Sequence, residues 1–459
     1  MTPLTKLIGS YIHGVKYADI PGRVVEPLRQ SITDTIGCGL IGASSSVASV
    51  IRNYVNEWRS AGDAVIWGTR EKASAPFAAM ANCAACHAWD FDDAVLPAVI
   101  HPGSLAIPTA LAIAERKSTP TTGRDFLTAV AAGYEVGNLI GAALGAKAFA
   151  SEGFYNSVPA IFVAAATAIK LQRLNQEQAV RAIGLAATQA AGLYSATLGK
   201  RFNSPKATLG GIFAADLALR GLEMSTDSIE AAYSGFLTTF SRAPFPALVR
   251  RDLGRYNFEI FHKLYPCIRS NHPTVENIKL LLDENPDVRI GKITKIVSHV
   301  DQLTVDYTVK TTAGGAIGVK TVGNALVSFH YCVAAMVVDR ELTFRQFTPA
   351  KIARREVQAL MQKIELRADP AIDALPATSR YRCTIDVHLR DGRVLKRKLI
   401  GPKGDPNNRL TASEMRTKFM TNAAHALPEK RAGRLFDLLA DVEAIPDMRS
   451  VSRLLIAPA

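Results

Sequence analysis

The sequence predicts a mainly α-helical protein with a smaller α+β domain between two helical segments, and three observations carry that prediction. Apolar residues recur at three- and four-residue steps from about residue 25 to 260. Runs rich in Val, Ile, Thr and Tyr, alternating apolar with polar, follow in KITKIVSHVDQLTVDYTVK and RYRCTIDVHLRDGRVLKRKLI. The C-terminal stretch then returns to helical spacing. The expected boundaries are 1–261 for the first helical part, 262–408 for the α+β part, and 409–459 for a helical return that packs on the first part.

Near the N-terminus, IGCGLIGA spaces Gly37, Gly39 and Gly42 as in a dinucleotide-binding loop. The preceding SITDT is no β-branched strand and no βαβ unit surrounds it, so these glycines read as close-packing positions on a helix and NAD is rejected. CAACH has the form of a haem-attachment motif, and Cys83 with Cys86 has the spacing of half a zinc site. Neither is completed elsewhere, and two small apolar residues on one buried helix face fit the pair better. No strand interrupts the helical run up to residue 260.

In LNQEQAVRAIGLAATQAAGL, Asn175 caps a helix, with Gln178 in the capping-box position. In the α+β part, Asp391-Gly392 marks a hairpin because both residues tolerate positive φ. NALVSFHYCVAAMVVDREL and PAKIARREVQALMQKI read as helices between the strand pairs. Thr411, with Glu414 three residues on, opens the C-terminal helices.

Composition excludes several classes. A chain of 459 residues that is 48% hydrophobic buries sizeable cores and is not disordered. MTPLTKLIGSYIHGVK lacks a signal-peptide core, and the apolar stretch FLTAVAAGYEVGNLIGAALGAKAFA is broken by Glu135 and Lys147 and rich in Ala and Gly. A soluble cytoplasmic protein, with no membrane partner, is expected. Six scattered cysteines, Cys38, Cys83, Cys86, Cys267, Cys332 and Cys383, suit a reducing compartment. The net charge is +13, and residues 340–409 hold 16 Lys or Arg against 8 Asp or Glu, with KRK at 396–398 the densest run. No nucleic-acid-binding motif accompanies this charge, so the reading is no nucleic acid and a basic face that draws small anions or is solvated.

The stretch from 87 to 104, HAWDFDDAVLPAVIHPGS, sets three aspartates and two histidines beside an Ala-rich run. Asp90, Asp92 and Asp93 end a helical pattern, and Ala94 to Ile100 reads as a connector that folds His101 back toward Asp90. A carboxylate beside an imidazole fixes its tautomer and makes an acid or base usable near neutral pH. The alternative is a helix stop whose aspartates bind water.

WGT, HAWDFDDAV with HPGS, GYEVGNLIG, EGFYNSVPAIFVAAATAIKL, GKRFNSPKATLGGIFAADLALRGL, KLYPCIRSNHPTVENI and LVSFHYCVAAMVVD occur in the order found in the MmgE/PrpD family, which the chain resembles over nearly its whole length. That family includes 2-methylcitrate dehydratase, cis-aconitate decarboxylase and iminodisuccinate epimerase. The resemblance implies a large helical domain built from both chain ends, an inserted α+β lid, a homodimer, no metal or organic cofactor, and a site in the interdomain cleft. Position by position it implies catalytic roles for Asp90, His101, Lys200 and Tyr331, and substrate-binding roles for Lys263, His272 and Arg201 beside Lys200. The implied substrate is a small anionic di- or tricarboxylate. Lysines there hold carboxylates and stabilise enolate-like charge, an imidazole moves the proton, and a tyrosine orients the substrate or a leaving hydroxyl.

The chain departs from the family at three points. Tyr155 stands where a histidine is usual, and with an ordinary pKa of about 10 a tyrosine transfers protons poorly at neutral pH unless a cation such as Lys200 lowers it. Ser204-Pro205-Lys206 replaces glycine and alanines, and Ile268 stands where the decarboxylase has a histidine. These departures turn the expectation away from cis-aconitate decarboxylase and toward a cofactor-independent lyase, a dehydratase of the 2-methylcitrate type. An epimerase that removes and returns one α-proton, and a degenerate binder without turnover, are the alternatives.

Overall fold

The computed structural model describes residues 2–62, 64–145, 152–193, 200–311, 319–376 and 379–458. These fall into two compact units, one made of Met1–Ala88, Asp92–Ile260 and Thr411–Ala459, the other of Trp89–Phe91 and Phe261–Leu410.

The first unit is helix packed on helix around one apolar cluster. The helix Gly123–Leu144 lies against Ser157–Leu171, which also packs on Lys200–Leu219, while Ala75–Cys86 packs on Gly103–Arg116. The C-terminal helix Ala412–Ala423 packs on Gly22–Gly42, so the two chain ends share one core. Small residues set how closely these helices approach. A Cβ on Gly42 would stand 1.8 Å from the Ala85 carbonyl oxygen, which explains the glycine spacing in IGCGLIGA without a nucleotide. Gly123–Leu144 is long and apolar enough to cross a membrane, yet 94% of its most apolar window is buried inside this unit. Local signals hold where they were clearest: Asn175 accepts from the Gln178 N–H and Gln178 answers to the Asn175 N–H, and Thr411 and Glu414 do the same.

One expectation for this region fails in detail. Short strands do interrupt the helices, with Ala64–Val65 pairing antiparallel with Lys72–Ala73, and Ala94–Leu96 forming a third. Pairings of two residues leave too little alternation to read.

The second unit is a four-stranded sheet in the order Ile364–Ala368, Ile293–Val300, Arg382–Leu389, Val394–Ile400. The first pair is parallel and the others are antiparallel. Cys383, Ile385, Val387 and Leu389 alternate inward beneath the helix His272–Glu284. The predicted hairpin is present, with Gly392 at φ +86°. Its second strand is an edge strand, and KRK lies on it: Lys396 approaches Asp386 at 3.6 Å and Arg397 meets Glu284 at 3.1 Å. Charge on an edge strand blocks pairing with other chains, which is a structural use for the densest basic run.

Two segments here differ from expectation. Gln302–Thr311 is a helix, not a strand, because Asp301 caps it, accepting from the Thr304 backbone N–H at 3.0 Å and from the Thr304 hydroxyl at 2.7 Å. The stretch read as one helix from Pro349 divides into Pro349–Ile352 and Arg355–Met361, and Ile364 already belongs to the parallel strand.

Candidate functional site

The helix Ala75–Cys86 ends at His87, whose backbone N–H bonds back to Cys83. Asp90 follows with φ +50°. Asp92 and Asp93 return the chain to the helical unit, Ala94–Leu96 forms a short strand, and Val95 pairs with Ile100. The stretch expected as a plain connector is therefore a closed loop, and its closure delivers His101 to the residues that precede it.

His101 folds back on Asp92 and Asp93. Its Nδ1 lies 2.7 Å from the Asp93 carbonyl oxygen and 3.6 Å from Asp92 Oδ2. A carbonyl can only accept, so Nδ1 carries the proton and Nε2 is the basic nitrogen of the ring. The loop is pinned by the Asp93 carboxylate, which accepts from the Ser31 hydroxyl at 3.0 Å, the Tyr134 hydroxyl, and the Gly103 N–H at 3.1 Å. Gly103 has no alternative, since a Cβ there would stand 2.4 Å from Thr35 Oγ1 and 2.7 Å from Asp93 Oδ1.

The sequence reading counted His87 but gave it no role. It is fully buried, its Nδ1 is 2.6 Å from Asp92 Oδ2, and its ring stands edge-on to that of His101 with centroids 5.0 Å apart. The Ser204 hydroxyl lies 3.4 Å from its Nε2, so Ser204, noted as a family departure, joins the same network. The available signal was the histidine ending CAACH, five positions before Asp92. His87, Asp92 and His101 each offer a ligand atom within 4.8 Å of the others, a spacing that a divalent cation accepts. Both Nδ1 atoms face acceptors, however, which places protons on them rather than free lone pairs. Cys83 and Cys86 are buried, and burial pushes both thiols up, as suits small core residues rather than thiolate ligands.

In the α+β unit, Asp90 and Lys263 are both buried, and the Lys263 ammonium binds the Asp90 carboxylate and, at 2.8 Å, its carbonyl oxygen. The lysine expected to hold substrate thus already carries a counter-charge. His272 opens the helix His272–Glu284 fully buried, its ring against Phe261 and Tyr265 with centroids 5.2 and 5.4 Å away. The Tyr331 hydroxyl donates to the Gln346 carbonyl, and burial raises its pKa. Ile268 is buried, with its N–H donated to Leu326.

In the helical unit, Tyr155 is buried, its backbone N–H bonding Gly192 at 3.1 Å. Lys200 and Arg201 begin the helix Lys200–Leu219, with Arg201 partly exposed. The side chain of Lys200 lies outside the described residues.

Burial is the largest cause raising Asp93 to about 7, with the neighbouring charges of Asp92 and Asp34 adding to it and the Tyr134 and Ser31 hydrogen bonds opposing it. Glu135 is also raised to about 7, mainly by burial. Folded-state values above unfolded ones of about 4 mean that each group's stabilising contribution is complete below about pH 4 and is lost as the pH rises toward about 7. The fall in Tm between about pH 5 and pH 8 is therefore expected to shrink in Asp93→Asn. Identical pH dependence in scanning calorimetry of variant and parent would contradict the assignment.

Comparison with known proteins agrees with this architecture. The MmgE/PrpD N-terminal domain matches residues 6–247, and the MmgE/PrpD C-terminal domain matches 265–443. Among curated proteins, the cis-aconitate decarboxylase of Homo sapiens is 27% identical over 471 residues, covering 99% of this chain and 95% of the relative. The cis-aconitate decarboxylase-like protein oryM of Aspergillus oryzae is 26% identical, covering 98% and 97%, and the cis-aconitate decarboxylase of Aspergillus terreus is 26% identical, covering 96% and 93%. With both domain models matched in order across most of its length, the chain belongs to the MmgE/PrpD family.

Proposed function

We propose that this protein is a lyase acting on a small tricarboxylate by proton transfer at a carbon next to a carboxylate, and that the bond it breaks is carbon–oxygen. The observation that carries the reading is His101, whose Nδ1–H is fixed on the Asp93 carbonyl so that Nε2 is the nitrogen able to take a proton. In the proposed step, Nε2 removes the α-proton, the electron pair moves into the adjacent carboxylate as an enolate, and the β-hydroxyl leaves as water with a proton from a nearby acid. Asp92, held by the His87 imidazole, supplies negative charge that favours the imidazolium once it forms. Lys200 and Arg201, at the start of one helix of the same unit as His101, are the cations assigned to the substrate's carboxylates.

The names of the relatives favour a second reading, decarboxylation of a tricarboxylate, in which loss of CO₂ leaves a carbanion that takes a proton from the same imidazole. Tyr155 and Ile268, standing where the family resemblance places histidines, add no further imidazole beside His101 for that protonation. Incubation with 2-methylcitrate, citrate and cis-aconitate, followed by proton NMR and CO₂ trapping, separates the two. A new alkene at unchanged carbon number supports dehydration, trapped CO₂ supports decarboxylation, and an inverted centre with neither supports an isomerase. No turnover of any of the acids would remove the lyase reading.

A further inference from the structure

Elsewhere in the helical unit, a cavity of about 320 Å³ opens where the end of the N-terminal helix meets the end of Ser157–Leu171 and the start of Gly123–Leu144. Lys16, Lys117, Arg124, Lys170 and Arg173 line it, and Asp125 is the only carboxylate among the lining residues. Its floor is apolar, with Ile12, Ile169 and Leu174 nearly fully buried. Low-polarity walls focus the field of charges around them. None of the lining residues belongs to the His101 network or to the Asp90–Lys263 pair.

Helix capping explains part of this cluster. Lys117 Nζ donates to the Leu171 carbonyl at 3.1 Å and Lys170 Nζ to the His13 carbonyl at 2.9 Å, both at helix ends, where cations are favoured. An ammonium has three N–H donors, and each cap uses one. Asp125 pairs with Arg173 at 3.5 Å and its charge also reaches Lys117 and Lys170, one carboxylate against five lining cations, while the Arg124 guanidinium lies 5.4 Å from the centre of the Tyr17 ring. Burial is the main cause lowering both Lys117 and Lys170, and the Arg173 charge lowers Lys117 further. Burial and the neighbouring cations both disfavour charge on these lysines, and an anion beside them would offset that.

We propose that this cavity binds a small multivalent anion carrying two or more phosphate or carboxylate groups. Five cations against one carboxylate call for more than one anionic group, and the volume lies at the lower end of the ~300–1,000 Å³ of small-molecule sites, which suits a compact ligand.

The test is isothermal titration of the full-length protein with pyrophosphate and, separately, with citrate. The expected result is saturable one-site binding of at least one of them, with Kd below about 1 mM at low ionic strength. Pyrophosphate alone assigns phosphate chemistry, and citrate alone assigns carboxylate chemistry. Lys117→Met/Lys170→Met is expected to weaken that binding by about tenfold or more, the equivalent of one lost charge-assisted contact per side. Arg173→Glu, whose side chain is 75% exposed, reads the same loss should the double variant prove unstable. Arg201→Ala, at the proposed substrate site, is expected to leave pyrophosphate binding unchanged, and a citrate signal lost in it belongs to that site rather than to the cavity. Absence of saturation with both anions, equal affinity in the cavity variants and the parent, or loss of all binding in Arg201→Ala would overturn the proposal.

Discussion

His101→Ala is expected to lower kcat/KM by about 10²–10⁴-fold, the usual contribution of a positioned acid–base group, while thermal stability changes little. The ring is partly accessible, unlike the fully buried His87 against whose edge it stands, so its removal is expected to cost less packing. His87→Ala should behave differently. That imidazole is completely buried and holds Asp92, so its loss removes both packing and a hydrogen bond from a buried carboxylate. Steady-state kinetics beside calorimetric unfolding of both variants checks the contrast. A large stability loss in His101→Ala, or undiminished turnover, would show that the loop has a structural role only.

The largest effect on stability is expected at Lys418. Its ammonium lies 2.5 Å from Asp34 Oδ1, with side chains 3% and 0% exposed. Lys418→Met removes the cation facing a buried carboxylate and should destabilise the helical unit by about 3–5 kcal/mol. At about 2–4 °C per kcal/mol for a body of this size, Tm should fall on the order of 10 °C. Removing the other charge as well, in Asp34→Asn/Lys418→Met, leaves no uncompensated ion and should recover much of the loss. Similar Tm values for the single and double variants would mean that the lysine stem, rather than its charge, stabilises this junction.

How much of this was legible depended on how local each signal is. Asn175 with Gln178 and Thr411 with Glu414 act within four residues, and the helices begin where those pairs place them. Asp391-Gly392 is equally local, and the hairpin is there. Gln302–Thr311 was misread because QLTVDYTVK alternates like a strand, while the deciding feature, an Asp301 cap, lies just outside the alternating run. The strand Ile364–Ala368 pairs with Ile293–Val300, and such non-local parallel pairing leaves no mark in five residues.

The candidate site divides the same way. The density of aspartates and histidines from 87 to 104 identified the region, but not which carboxylate meets which base. His101 goes to Asp92 and Asp93 because Val95 and Ile100 close the loop, and because Ser31 and Tyr134, 62 and 41 residues away in sequence, fix Asp93. Asp90 meets Lys263 across 173 residues. His87 was counted in that stretch but given no role, because it read as the end of a cysteine motif rather than as the start of a carboxylate network.

The central claim is that His101 moves a proton at a carbon next to a carboxylate. Its most direct test is deuterium incorporation from deuterated water at that carbon, followed by proton NMR for the parent and for His101→Ala on the acid that the parent turns over. The account predicts incorporation by the parent and its loss in a folded His101→Ala. Equal incorporation by both would contradict it.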